Sequence, residues 1–80
     1  MKFKNKGPIV FTTDQAPGAI PNGTPIVKVF SEERDANPVG TTGVVLGSMS
    51  DGERTGYFVE WQTMPGVPVF VAEFKIGRQQ

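Results

Sequence analysis

The side chains of this chain that could carry out acid–base chemistry are its clustered carboxylates. They fall in two groups, Glu32, Glu33 and Asp35 beside Arg34, and Asp51 with Glu53. A pair of carboxylates at one site can divide the roles of general acid and general base between them. The first group lies in a polar loop and the second in a turn, so we interpret both as solvated charge clusters.

Other catalytic groups are missing from the sequence, which has no histidine and no cysteine. This excludes the commonest general base, the Ser-His and Cys-His nucleophile pairs and ordinary zinc sites. The GTTG segment at residues 40–43 has neither the lysine nor the following helix of a phosphate-binding loop. We therefore predict no catalytic residue, no metal site and no cofactor.

Charge does not favour a polyanionic partner, because eight basic residues balance eight acidic ones. A neutral chain has no net field that attracts nucleic acid or an anionic membrane. We interpret Lys2, Lys4 and Lys6 as part of a solvated tail. No apolar run reaches the roughly 18 residues of a membrane span, and the first residues lack the apolar core of a signal peptide. A soluble, cytoplasmic protein is expected.

The elements that would position these residues are strands. Ten valines and six phenylalanines stand against one leucine and four alanines, while ten glycines and seven prolines interrupt any long helix. We predict one domain over residues 1–80, with residues 1–8 as a flexible N-terminal tail. Its predicted strands and loops are, in order, a strand at 8–13, a loop at 14–25, a strand at 26–30, a loop at 31–38 in which Ser31 caps one helical turn, a strand at 42–48, a hairpin, a 3₁₀ turn at 72–74 and a strand at 75–77.

The hairpin is the most specific local feature. Pro65 and Gly66 are the residues that the central positions of a type II turn require. In the arm before the turn, Tyr57, Val59 and Trp61 alternate with more polar neighbours, so these three should enter the core. Their neighbours Phe58, Glu60 and Gln62 should face solvent, where an exposed phenyl ring suggests a contact surface.

The second arm is apolar on both faces. Val67, Val69 and Val71 share one face, and Pro68 and Phe70 share the other. Either the valines enter the core and Phe70 lies outside near Phe58, or Phe70 enters and the valines are exposed. Because Pro68 cannot donate to a ladder, the arm belongs at a sheet edge, where an apolar strand invites a partner. The predicted binding or oligomer surface comprises Phe58, Val67, Pro68, Val69, Phe70 and Lys28.

Five or six short strands with a long polar loop and a turn before the last strand predict an all-β fold, a small five- to six-stranded SH3-like barrel. An OB-like barrel or a small open sandwich is the second possibility. Barrel closure would remove most free strand edges. At this length the core is modest, so assembly with further copies would add support.

The sequence also resembles a known family, the plasmid-borne type II dihydrofolate reductases that resist trimethoprim. The resemblance rests on GYFVE at residues 56–60, the Pro65-Gly66 turn, the β-rich arm and the closing Lys75-Ile76. Upstream, Val10-Phe11, a turn-rich loop, Gly23 and a strand carrying Lys28 follow in the same order. The family implies an SH3-like barrel that assembles as a homotetramer around a central pore, which is the active site.

In that family, the glutamine, isoleucine and tyrosine of a Val-Gln-Ile-Tyr segment line the pore with a lysine from an earlier strand. Here residues 67–70 match the segment: Val69 replaces the isoleucine, Pro68 the glutamine and Phe70 the tyrosine, and Lys28 matches the lysine. Pro68 has no amide and Phe70 no hydroxyl, so two polar contacts to folate and nicotinamide are lost. Our first hypothesis is a non-enzymatic module that binds a protein partner or its own copies. The alternative is a type II reductase-like enzyme with an altered pore, which would use NADPH.

Overall fold

The fold is all-β, as the composition predicts. The computed structural model describes residues 11–79, which contain five strands: β1 (Pro25–Lys28), β2 (Thr42–Ser50), β3 (Thr55–Trp61), β4 (Pro68–Ala72) and β5 (Ile76–Arg78). They form one antiparallel sheet in the order β4-β3-β2-β1-β5. A 3₁₀ turn over Glu73–Lys75 precedes the last strand.

The sheet is open along its hydrogen-bonded ladder. β4 pairs only with β3, and β5 pairs only with β1, so these two strands are the edges. The expected closure is therefore not made through backbone pairing within residues 11–79. A register shift between Val45 and Gly47 in β2 marks a β-bulge, which bends the strand and increases its twist.

The predicted hairpin is present with the predicted turn. Gly66 has a φ of 80°, and the Val67 N–H donates to the Met64 carbonyl over 3.2 Å. Pro65 and Gly66 are thus the central residues of a type II turn. The loop is longer than a tight hairpin, because the last paired residues are Glu60 and Pro68.

The inward face of β3 supplies the centre of the core. Tyr57, Val59 and Trp61 are all buried, as their alternation predicts. The remaining buried members of the cluster come from the other four strands: Ile26, Val45, Val71 and Ile76. Every strand therefore contributes a side chain to one apolar cluster, which fixes the register of the sheet.

Three local predictions for the part of the chain before β2 differ from the structure. The strand predicted at 26–30 ends at Lys28, because the Val29 and Phe30 N–H groups both turn to the Lys75 carbonyl. Ser31 caps no helix, and its hydroxyl donates to the Asn37 carbonyl instead. Of the strand predicted at 8–13, residues 11–13 are not in a strand and residues 8–10 lie outside the described part, as does the predicted tail at 1–8.

An irregular segment, residues 11–16, lies against β2. The Ser48 N–H donates to the Asp14 carbonyl over 2.8 Å, and the Ala16 N–H donates to the buried Ser48 hydroxyl over 2.9 Å. Gly47 has no side chain to obstruct this approach, and a Cβ there would overlap the Thr12 carbonyl oxygen. The close approach that glycine permits is thus used by the chain itself. Among residues 11–79, no helix has the length and apolar character needed to span a membrane.

Candidate binding surface

The second hairpin arm, β4, turns its valines inward and its phenylalanine outward. Val71 is buried at 6% exposure and Val69 packs against the core cluster, whereas Phe70 is 55% exposed. The structure thus decides between the two faces that the sequence left open. Phe70 is the most exposed apolar side chain of β4 and lies on an edge strand.

Three phenyl rings stand side by side on the outer face, and we call Phe11, Phe58 and Phe70 the aromatic row. The ring centroids of Phe58 and Phe70 are 5.0 Å apart, with an interplanar angle of 59°. Those of Phe11 and Phe58 are 5.8 Å apart at 52°. Both pairs have the tilted geometry that aromatic rings prefer. The row is held by cross-strand packing, since Phe58 and Phe70 are direct partners in the β3–β4 ladder.

The row borders an apolar groove of about 370 Å³. Its floor includes Gly56, over which the Phe70 ring lies so closely that a Cβ would overlap the ring. Met49 pairs with Gly56 across the β2–β3 ladder and is 52% exposed. A bare glycine covered by a cross-strand ring allows the ring to lie flat against the sheet. The groove therefore offers an aromatic and a flexible thioether side chain to a partner.

One side of the groove carries both signs of charge. Arg54 and Asp51 are exposed, with 3.9 Å between the guanidinium Nη2 and the carboxylate Oδ2. The Arg54 and Glu53 N–H groups donate to the Asp51 carboxylate and hold the pKa of that carboxyl below its ordinary value. A pair so exposed adds little to stability and remains free to exchange partners.

The other predicted surface residues of the hairpin do not all face the row. Val67, Pro68 and Val69 are half-buried, and Pro68 begins β4 at the sheet edge. Its position agrees with the rule that proline in a sheet occupies an edge or a strand start. Phe58 is half-buried between Phe11 and Phe70. Phe58, Pro68 and Phe70 therefore share the outer face of the hairpin, whereas Val69 faces the core.

Lys28, the sixth, lies elsewhere and is not a surface residue. It is only 4% exposed, so it takes no part in the predicted surface. Its ammonium donates to the Asn37 carbonyl over 2.9 Å, lies 3.4 Å from the Asp35 carboxylate and stands 5.5 Å from the centre of the Trp61 ring. These contacts use the lysine to hold the 31–38 loop against the core.

The carboxylates of that loop belong to an ion-pair network. Lys75 donates to both Asp35 oxygens over 3.1 and 2.9 Å and to Glu32 over 3.0 Å. The Glu32 N–H also donates to Asp35 and, with Lys75, lowers the pKa of that carboxyl from 3.8 to about 2. The hydrogen bonds that Lys75 makes to Asp35 and to Glu32 raise the pKa of the Lys75 ammonium. The predicted solvated cluster is thus a clasp between the loop and the 3₁₀ turn.

We expect the clasp to weaken in acid. The Asp35 carboxyl titrates near 3.8 in the unfolded chain but near 2 in the folded protein. Between these values the unfolded state binds more protons, so the Asp35 contribution, fully present above about pH 4, is lost as pH falls toward 2. Urea unfolding measured across this range should show stability falling with pH, and Asp35→Asn should reduce the slope. Equal slopes in both proteins would contradict the assignment.

Tyr57 fixes the turn-rich 14–24 loop to the core. Its hydroxyl accepts from the Ile20 N–H over 3.0 Å and donates to the Glu73 carboxylate over 3.1 Å. Burial, together with Glu73, raises the pKa of the Tyr57 hydroxyl. The ring thus lies in the core, as predicted, while its hydroxyl is hydrogen-bonded at the rim.

A second apolar patch was not predicted from the sequence. Val29, Phe30 and Phe74 are all about half exposed or more, and the Phe30 and Phe74 centroids are 5.7 Å apart. The patch lies where β1 ends beside the 3₁₀ turn. The sequence pattern does not predict it, because Phe30 falls within the predicted strand at 26–30, whereas β1 ends at Lys28.

Comparison with protein-family models, with curated proteins and with solved structures gave no match. Within residues 11–79, no three acidic side chains come together in an arrangement that could hold a metal ion. The interpretation of this surface therefore depends only on the contacts and exposures given above. What it offers chemically is an apolar, aromatic surface at a sheet edge, with the exposed Asp51–Arg54 ion pair beside its groove.

Proposed function

We propose that the protein is a non-enzymatic binding module that associates with a second copy of itself through the aromatic row. The observation that carries the proposal is the exposure of Phe70 beside Phe58 on an edge strand. Aromatic residues and methionine are enriched where proteins meet, and charged residues are depleted at the centre of such contacts. The row and Met49 have this composition, and the charged residues that line the groove, Asp51 and Arg54, belong to one turn.

The charges of the border favour a second copy as the partner. A two-fold symmetric interface places the same patch on both sides, so the patch must complement itself. Asp51 and Arg54 satisfy this requirement, because each can face its opposite on the other copy. The chain as a whole is neutral, which removes long-range repulsion between copies.

Two further predictions belong with this proposal. The strand order, in which β5 returns to pair with β1 after a 3₁₀ turn, supports an SH3-like fold. A cytoplasmic location remains a prediction from the sequence.

A small core also supports assembly, since burying a further apolar face adds stability that 80 residues supply only modestly.

Analytical ultracentrifugation of the purified chain tests the proposal. We expect the weight-average mass to rise from monomer toward dimer between low and high micromolar concentration. The association should persist in high salt, because it depends on apolar contact more than on charge. A strict monomer at all concentrations would overturn the self-association proposal.

The reductase alternative has one supporting observation. The residues that match the family's pore segment, 67–70, lie together at the start of β4 on the sheet edge, where a symmetric contact would place them near their copies. The matching lysine, Lys28, is buried and already bonded to Asn37. We expect no oxidation of NADPH with dihydrofolate in the presence of trimethoprim. Turnover of dihydrofolate at high protein concentration would instead support the reductase alternative.

A further inference from the structure

The Asn22-Gly23 pair is a reactive sequence that the binding surface does not use. An asparagine followed by glycine is chemically labile because the next backbone nitrogen can attack the side-chain carbonyl carbon without steric hindrance. Asn22 is exposed, and Gly23 has a φ of 88° with open space where a Cβ would be. Within residues 11–79, no atom lies within 4 Å of the position that a Gly23 Cβ would take, so attack by the Gly23 nitrogen meets no steric block there.

Hydrogen bonds, however, restrain both reacting groups. The Gly23 N–H, which would be the nucleophile, donates to the Val45 carbonyl over 2.8 Å. The Asn22 amide nitrogen, which would be the leaving group, donates to the Thr13 carbonyl over 2.8 Å. The Asn22 N–H donates to the Gln15 side chain over 2.8 Å. The reaction therefore requires the loop to open first.

We propose that Asn22 is a self-modification site at which opening of the 13–23 loop is converted into a permanent covalent change. In the opened loop, the Gly23 nitrogen bonds to Asn22 Cγ, the Cγ–Nδ2 bond breaks, and ammonia leaves with the former N–H proton. Water then opens the resulting succinimide to an aspartyl or isoaspartyl residue. The net change is the replacement of ammonia by water, and no other reactant is needed.

The product cannot restore the closed loop. A carboxylate at position 22 has no N–H to donate. It would face the Thr13 carbonyl oxygen, whose partial negative charge repels it. Loss of this bond frees the segment that runs past Gly47 to the Ser48 hydroxyl. Deamidation thus both reports an opening and prevents the loop from closing again.

The first claim, that Asn22 deamidates only when the loop opens, is tested by peptide mass spectrometry. The full chain is aged at mildly alkaline pH in buffer and in urea. We expect deamidation of Asn22 to be roughly 10-fold or more faster in urea, because local protection limits the native reaction. Asn37 is an internal control, since Pro38 has no N–H to act as nucleophile. Equal Asn22 rates in both conditions, or no reaction in urea, would overturn the proposal.

The second claim, that the product cannot restore the closed loop, is tested by hydrogen exchange in a matched pair of variants. Asn22→Asp removes the donor and adds a charge, whereas Gln15→Glu adds the same charge nearby and keeps an acceptor for the Asn22 N–H. We expect the Ala16 and Ser48 amides to exchange several-fold faster in Asn22→Asp than in Gln15→Glu, with native circular dichroism in both. Equal exchange in the two variants would show that the donor does not hold the loop.

Discussion

Phe70→Asp is expected to abolish self-association and to leave the fold intact. Phe70 is more than half exposed, so its carboxylate replacement stays solvated in the monomer, and the main loss there is ring packing on Phe58 and Gly56. At a two-fold contact two such carboxylates would approach each other in an apolar surface, which is strongly unfavourable. We expect an affinity loss of about 30-fold or more, the range for a central interface residue. Sedimentation with circular dichroism measures both properties.

Val71→Asp is the matched control on the next residue of the same strand. Val71 is buried, so the same substitution places an unpaired charge in the core and should cost roughly 3–5 kcal/mol of folding free energy, enough to unfold a small domain. The contrast separates an interface effect from a fold effect. A Phe70→Asp protein that is folded and still fully associated would show that the aromatic row is not part of the interface.

Gly47→Ala is expected to detach the 11–16 segment from β2. The new Cβ would overlap the Thr12 backbone, which cannot move aside as a side chain can, so the hydrogen bonds of Ser48 to Asp14 and Ala16 should break. We expect a loss of about 2–4 kcal/mol in urea unfolding, the range for steric overlap combined with orphaned buried polar groups. Phe11 should leave Phe58, and association should weaken as well.

Gly77→Ala is the control for this substitution. A Cβ at Gly77 would meet only the end of the exposed Val29 side chain, 3.3 Å away, which can rotate. The expected effect is below about 1 kcal/mol. If Gly47→Ala were as mild as Gly77→Ala, the segment would not depend on the bare glycine surface.

The fold was predictable where local chemistry and alternation agreed. The Pro65-Gly66 turn, the inward set Tyr57, Val59 and Trp61, and the 3₁₀ turn before the last strand all follow from residue type and period. The end of β1 did not, because Val29 and Phe30 have strand-like side chains but their N–H groups find the Lys75 carbonyl. That competition depends on a partner 45 or more positions away, which no local pattern contains.

The candidate surface was predictable in part for the same reason. Phe58 and Phe70 belong to one hairpin, and one of the two arrangements that alternation allows puts both on the outer face; the burial of Val71 shows that this one is adopted. Phe11 and Met49 reach the row only because an irregular segment crosses Gly47 and because β2 runs two residues further than predicted. Lys28 was misplaced, since its carboxylate and carbonyl partners come from a loop whose path the sequence did not specify.

The pairing of β5 with β1 has a consequence for synthesis of the chain. β1 emerges from the ribosome about 50 residues before the strand that covers its second edge, and at the typical elongation rate this is a delay of seconds. Through that interval the β1 backbone edge and the patch of Val29 and Phe30 stay without their neighbour. Nascent chains should therefore be most prone to misassociation after β1 has emerged and before residues 76–78 appear.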